Sequence, residues 1–191
     1  MKIVFATGNP NKVREINSIL GDSVEIIGLK NIGCTEEIPE TQATIEGNAL
    51  QKARYVKEKY GYDCFAEDTG LEIDALNGEP GVYTARYAGP ARDADANMDK
   101  ALRELASKED RGAQFKTVIA LILNGEEHTF EGIARGTIAH QKMGEQGFGY
   151  DPIFVPEGFD RSFAQMEANE KNVISHRGKA TQLLKAYFDT L

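Results

Sequence analysis

Seven consecutive residues, Thr117-Val118-Ile119-Ala120-Leu121-Ile122-Leu123, carry no charge and leave no polar face for water. A strand solvated on one side alternates apolar and polar residues, so this unbroken run predicts a central strand buried on both faces. The Asn124-Gly125 pair that follows is the strongest short-range hairpin signal in the chain, and residues 129–135 read as the returning strand. Residues 2–6, 24–28, 62–66 and 71–76 read as further strands. Residues 11–20 place Val13, Ile16, Ile19 and Leu20 on one helical face. Residues 45–60 do the same with Ile45, Ala49, Ala53 and Val56, behind Thr44 as N-cap. Residues 94–107 form an amphipathic helix with Met98, Ala101, Leu102 and Leu105 inward and only a scaffolding role, and a last helix ends in Leu183, Leu184, Tyr187 and Phe188. This is an α/β chain. Its 191 residues, 41% of them hydrophobic, suit a single domain, 1–191, or one domain with a smaller lobe.

Chemistry is expected where the apolar run of residues 62–66 stops at Glu67-Asp68-Thr69-Gly70. Two strands would flank a turn there, with Gly70 supplying backbone freedom and at least one acid facing a cleft. A solvated turn uses the same residue types, so the motif does not stand alone. Thr7-Gly8-Asn9-Pro10-Asn11-Lys12 leaves a strand and opens a helix. In that setting backbone N–H groups and the helix dipole cradle phosphates, and Lys12 adds a point charge. It is not a Walker loop: no second glycine precedes the lysine and no Ser or Thr follows it. Glu36, Glu37 and Glu40 surround Pro39 in an irregular segment, and Asn48 and Lys52, one turn apart, share a helix face. Tyr83, Arg86 and Tyr87 sit on what reads as an exposed loop suited to ligand contact. Gly144-Glu145-Gln146-Gly147-Phe148-Gly149-Tyr150-Asp151-Pro152 sets three glycines beside two aromatics, which suits a loop closing on a flat heterocycle. Lys171, His176, Arg177 and Lys179 gather four potential cations near one helix start, although a solvated helix face looks similar.

The formal charge of −8, from 30 acids against 22 Lys and Arg, argues against a broad basic face for duplex nucleic acid. A nucleotide needs only a few placed cations and a metal. Cys34 and Cys64 read as reduced thiols, and His128, His140 and His176 form no ligand cluster. No apolar stretch approaches the ~20 residues of a membrane span, and the chain runs from Met1-Lys2 directly into a strand. A soluble, cytoplasmic protein is expected.

Six segments, in this order, resemble the inosine and xanthosine triphosphate pyrophosphatase family over nearly the full length. They are Thr7-Gly8-Asn9 with Lys12 and Glu15; Glu40-Thr41 leading to Asn48-Ala49 and Lys52-Ala53; Glu67-Asp68-Thr69-Gly70-Leu71; Pro80-Gly81-Val82-Tyr83 to Ala85-Arg86-Tyr87; Gly147-Phe148-Gly149-Tyr150-Asp151-Pro152-Ile153-Phe154; and Ser175-His176-Arg177. The resemblance implies an α/β fold with an elongated central mixed β-sheet, flanking helices and two lobes around a nucleotide-binding cleft. It also implies a homodimer with no nucleic-acid or membrane partner. The activity implied is Mg²⁺-dependent hydrolysis of inosine, deoxyinosine and xanthosine triphosphates (ITP, dITP and XTP) to the monophosphate and diphosphate. By the same resemblance Thr7, Gly8, Asn9, Pro10, Asn11 and Lys12, with Lys52, hold the triphosphate. Glu40 and Asp68 hold the metal, and Asp68 is also the proton acceptor. Thr69, Phe148, Gly149, Tyr150, Asp151, Lys171, His176 and Arg177 hold the base and nucleotide. Two departures stand out. Pro10-Asn11 lies inside the first loop, and Glu46-Gly47-Asn48 separates glutamate from asparagine where the two are usually adjacent, which leaves the metal ligand open between Glu40 and Glu46. Two rival readings are a nucleotide-binding regulatory protein without turnover and a hydrolase of pyrimidine or other modified nucleotides. Paired acids beside phosphates weigh against the first, and the segments around Phe148 and His176 weigh against the second.

Overall fold

The computed structural model describes residues 1–191, the side chain of Ser23 excepted. Its strands are β1 (Lys2–Phe5), β2 (Glu25–Gly28), β3 (Cys64–Ile73), β4 (Gly112–Leu123), β5 (Glu126–Ile138) and β6 (Phe154–Pro156). They form one six-stranded sheet in the order β2-β1-β3-β4-β5-β6. β1 is parallel to β2 and β3, whereas β5 and β6 are antiparallel. The helices are α1 (Pro10–Leu20), α2 (Ile45–Tyr60), α3 (Ala94–Glu104), α4 (Ala168–Ile174) and α5 (His176–Phe188). A mixed sheet with flanking helices is what the resemblance implies. The chain divides into two compact units: Met1–Asp68, Thr117–Gly132 and Arg177–Leu191 make the first, Thr69–Lys116 and Ile133–His176 the second.

In the first unit every residue of β4 from Thr117 to Leu123 is buried, as an unbroken apolar run requires. Ile119, Leu121 and Leu123 join Ile3, Phe5 and Phe65 in one cluster with Ile16 and Leu20 of α1 and Ala180, Leu184 and Phe188 of α5. Alternate strand residues point the other way, and there the Cys64 thiol donates to the Ala53 carbonyl of α2 at 3.2 Å. Burial pushes that thiol up to about 12, and both cysteines are free. The β4–β5 hairpin turns on Asn124 (φ 52°) and Gly125 (φ 86°), the positive angles a two-residue turn needs.

In the second unit β4 returns to alternation: Ala113 and Phe115 are buried, Gly112, Gln114 and Lys116 only partly. Phe115 packs with Leu71, Ile73, Met98, Ala101, Leu105, Phe154 and Phe163. α3 also does more than scaffold. Its Asn97, 3% exposed, accepts from the Ala88 N–H at 2.7 Å and donates to the Ala85 carbonyl at 3.0 Å. The loop expected at residues 82–89 is therefore ordered, beginning as a 3₁₀ turn over Gly81–Arg86. Tyr83 is 58% exposed beside Arg86, but Tyr87 is buried, with Lys100 Nζ 4.0 Å from its ring centroid.

Two expectations are corrected. Residues 62–66 and 71–76 do not flank a turn, because β3 runs unbroken through Glu67, Asp68 and Gly70 with both acids buried. Cationic partners neutralise those acids, so the strand has no need to break. The last helix is two helices, α4 and α5, separated at Ser175, whose backbone is extended (φ −73°, ψ 157°). Among the described residues no helix is long and apolar enough to cross a membrane.

Candidate active site

The parallel pairing of β1 with β3 matches Val4 to Cys64 and Phe5 to Phe65, with the two phenyl rings stacked at 4.4 Å. The segment leaving the carboxyl end of β1 therefore starts beside Glu67, at the strand end where open α/β sheets commonly bind ligands. The Thr7 N–H turns back onto the Phe5 carbonyl at 2.8 Å, and the Thr7 hydroxyl accepts from the Asn9 N–H at 3.2 Å. Asn9 caps α1, its Oδ1 accepting from the Asn11 N–H at 2.9 Å. Pro10 is the first helical residue, where a missing N–H costs nothing. The Pro10-Asn11 departure is thus part of the helix rather than the loop. Gly8 has nothing within 4 Å of where a Cβ would stand.

Glu67 and Asp68, adjacent on β3, leave the strand on opposite sides and meet different partners. Glu67 pairs with the Lys12 ammonium and accepts from Arg177, Nε to Oε2 at 2.7 Å and Nη2 to Oε1 at 3.4 Å. Arg177 Nη1 also donates to Glu15 Oε2 at 2.7 Å. Burial alone would push the Glu67 carboxyl up, but Arg177 and Lys12 hold it well below the usual carboxylate range. Asp68 Oδ1 lies 3.3 Å from Lys52 Nζ, and the same ammonium is 2.5 Å from Glu40 Oε1. Burial, helped by the charges of Glu40 and Glu67, raises the Asp68 carboxyl in spite of Lys52 and Lys12. Burial would lower the Lys52 ammonium, yet Asp68 and Glu40 raise it and keep it charged. Neighbouring carboxyls pushed apart in this way take separate roles, one a fixed charge and the other able to accept a proton.

Glu40, from an irregular segment, and Asp68, from a strand, converge on one cation. Hard oxygen donors meeting at a single positive charge suit a small divalent ion, which commonly takes one or two carboxylates from protein. Glu46 stands exposed in the first turn of α2, so Glu40 is the acid that shares a cation with Asp68. Among the described residues no three His, Cys, Asp or Glu side chains gather as a metal group.

The remaining expected site residues lie within the second unit. Asp151, 3% exposed, accepts from Lys171 Nζ at 2.7 Å and from the Phe148 N–H at 3.0 Å. Lys171 Nζ lies 5.0 Å from the Phe148 ring centroid, and Phe148 itself is only half-buried. Gly147 (φ 73°) lies so close to Asp151 that a Cβ would fall 2.0 Å from its Oδ2. Gly149 also has positive φ, 62°. The Tyr150 hydroxyl donates to the Thr84 carbonyl at 2.6 Å, and burial, with Tyr87 nearby, pushes that hydroxyl well above the usual tyrosine range. His176 is buried and stacks on Phe115 at 4.4 Å, and Thr69 is half-buried on β3. The four cations expected to cluster therefore separate: Lys171 goes to Asp151, His176 to Phe115 and Arg177 to Glu67, while Lys179 is exposed. Glu15 is absent from the residues singled out as a site by sequence, although its place three residues after Lys12 puts both on one helical face.

The Ham1 family profile matches residues 3–187. A protein of Flavobacterium psychrophilum named dITP/XTP pyrophosphatase is 59% identical over 188 residues, covering 98% of this chain and 99% of its own. The solved Ham1 protein of Staphylococcus aureus is 38% identical with a TM-score of 0.91, covering 100% of this chain and 99% of its own. The HAM1 protein of Coxiella burnetii is 36% identical with a TM-score of 0.92, and both chains are covered in full. Agreement of this extent in both sequence and backbone means that the chain belongs to the Ham1 family.

Proposed function

We propose that this protein is a metal-dependent nucleoside triphosphate pyrophosphatase that hydrolyses ITP, dITP and XTP to the monophosphate and diphosphate, removing deaminated purines from the nucleotide pool. The observation that carries the reading is the convergence of Glu40 and Asp68 on the Lys52 ammonium. A pure binder of phosphates gains nothing from placing a buried Asp68 and a half-buried Glu40 there unless they bear a metal. When bound, a divalent ion, which we take to be Mg²⁺, neutralises charge developing on the phosphate oxygens. Glu40 and Asp68 would hold it.

Lys12 and Lys52, with the segment from Thr7 through Gly8, Asn9 and Pro10 to Asn11, bind the triphosphate. Water attacks the α-phosphorus, its proton passes to the Asp68 carboxylate, and the bond from that phosphorus to the bridging oxygen of the diphosphate breaks. Glu67 is unsuited to take that proton, because Arg177 and Lys12 hold it ionised. The half-buried Phe148 ring offers a stacking face for the base, on a loop that Asp151 and Lys171 brace. Gly149, Tyr150, Thr69, His176 and Arg177 complete the nucleotide set. We read residues 1–191 as one catalytic domain of a cytoplasmic homodimer that binds neither nucleic acid nor membrane.

Base choice follows from the six position. Hypoxanthine and xanthine present a carbonyl acceptor, adenine an amino donor, and a donor set that meets the carbonyl leaves both partners unpaired against adenine. Discrimination on the order of 10⁴ is within reach of such a site. The protein is incubated with each nucleoside triphosphate and Mg²⁺, and diphosphate release is followed. Strong preference for ITP and XTP over ATP is expected from the six position, and equal rates on ATP and ITP would overturn the reading. GTP keeps the six-carbonyl, so its rejection must come from crowding or an unmatched donor at its two-amino group.

A further inference from the structure

Glu40 lies in a stretch, residues 34–42, that has neither helix nor strand. A carboxylate on such a stretch stands wherever its neighbours are tied down. Upstream, the Glu36 carboxylate accepts from the Tyr55 hydroxyl, the Tyr60 hydroxyl and Lys59 Nζ, each at 2.7 Å. Downstream the ties are closer. The Thr41 N–H donates to Gln51 Oε1 at 2.9 Å, and Gln51 Nε2 donates back to Thr41 Oγ1 at 2.9 Å, so both ends of one amide are used. The next N–H, that of Gln42, donates to Asn48 Oδ1 at 2.9 Å. At Gly47 a Cβ would stand 2.9 Å from Gln42 Cβ, so the stretch lies against α2 at a distance only glycine allows. Asn48, Gln51 and Lys52 fall at i, i+3 and i+4, on one face of α2. The face that carries the lysine also carries the two amides that hold the glutamate beside it.

We infer that Gly47, Asn48 and Gln51 are positioning residues that set the Glu40 carboxylate against Lys52 and Asp68, and so set the affinity for the divalent ion. The inference rests on the reading of Glu40 as a metal ligand given above. Partners that orient metal ligands typically cost roughly 10- to 100-fold in metal affinity when removed.

The test titrates the full-length protein with Mn²⁺ alone, following free Mn²⁺ by electron paramagnetic resonance, with a circular dichroism melt on every variant. Gln51 is partly exposed, so Gln51→Ala keeps the fold, and Thr41→Val removes the hydroxyl half of the same tie by a second route. Both, with Gly47→Ala, should bind Mn²⁺ roughly 10- to 100-fold more weakly than wild type. Gln51→Glu, which keeps the acceptor for the Thr41 N–H, should recover part of the loss. Adding Gln51→Ala to Glu40→Gln should cost nothing beyond Glu40→Gln alone. Wild-type affinity in Gln51→Ala and Thr41→Val, with Glu40→Gln weakened, would overturn the positioning role and leave the metal reading standing. Unchanged affinity in Glu40→Gln, or no Mn²⁺ uptake by wild type, would remove the metal reading and the inference with it.

Discussion

Glu67 and Asp68 share a functional group and a strand, and their surroundings separate them. Asp68 is the carboxyl raised by burial and able to accept a proton, so Asp68→Asn should fold normally and lose on the order of 10²–10⁴ in turnover. A folded Asp68→Asn protein with near-normal turnover would remove the assignment. Lys12→Ala and Lys52→Ala should each cost roughly 1.5–3 kcal/mol in kcat/KM for the triphosphate, through loss of a hydrogen bond to a charged group. Glu67, by contrast, is a stability residue. Its folded pKa is depressed, so its contribution is fully present above the unfolded carboxyl value of about 4.3 and is lost as pH falls toward the folded value. Glu67→Gln leaves Arg177 and Lys12 short of an anion, at a cost of roughly 3–5 kcal/mol near pH 7. Urea unfolding at a series of pH values should show that gap narrowing below about pH 4, and a gap that stays constant to pH 2 would contradict this account. Arg177→Ala strips the same cluster from the other side, so it reports stability before it reports base choice.

At the scale of elements, what was legible depended on whether the cause was local. The buried run in β4, the Asn124-Gly125 hairpin, Thr44 as cap of α2 and its buried stripe all follow from residues within a turn or two of each other, and all are present. The continuity of β3 was not legible, because two acids in an apolar run read as a break unless their counter-charges are known, and Arg177 lies 110 residues from Glu67. The split between α4 and α5 was hidden for the same reason: Lys171, His176 and Arg177 are drawn to three separate partners. The loop before β6 yields a local prediction. Gly147→Ala would drive a methyl into the Asp151 carboxylate that braces Lys171 and Phe148. It should lower kcat/KM on ITP by on the order of 10-fold or more, since small displacements of positioning groups are expensive. Gly158→Ala, with comparable positive φ (85°) and open space around it, should show backbone strain of about 1–2 kcal/mol and unchanged kinetics. Equal kinetic losses in the two variants would show that strain alone, and not Asp151, is responsible.

For the molecule as a whole, a chelator should abolish diphosphate release and excess Mg²⁺ should restore it, with the circular dichroism spectrum unchanged throughout. Activity that survives exhaustive chelation would contradict the metal reading. Two lobes were implied by the resemblance, but the limits of the two units could not be read from composition, because they fall inside β3, β4, β5 and α5 rather than in linkers of altered composition. Those limits follow Asp68, Lys116, Gly132 and His176, so the chain passes from one unit to the other four times. No single cut releases either unit whole. A truncation from either end removes part of one unit before it reaches the other, and neither unit corresponds to a contiguous stretch of gene. The two units therefore cannot be expressed, exchanged or lost as separate fragments, and a change in either must come by substitution in place.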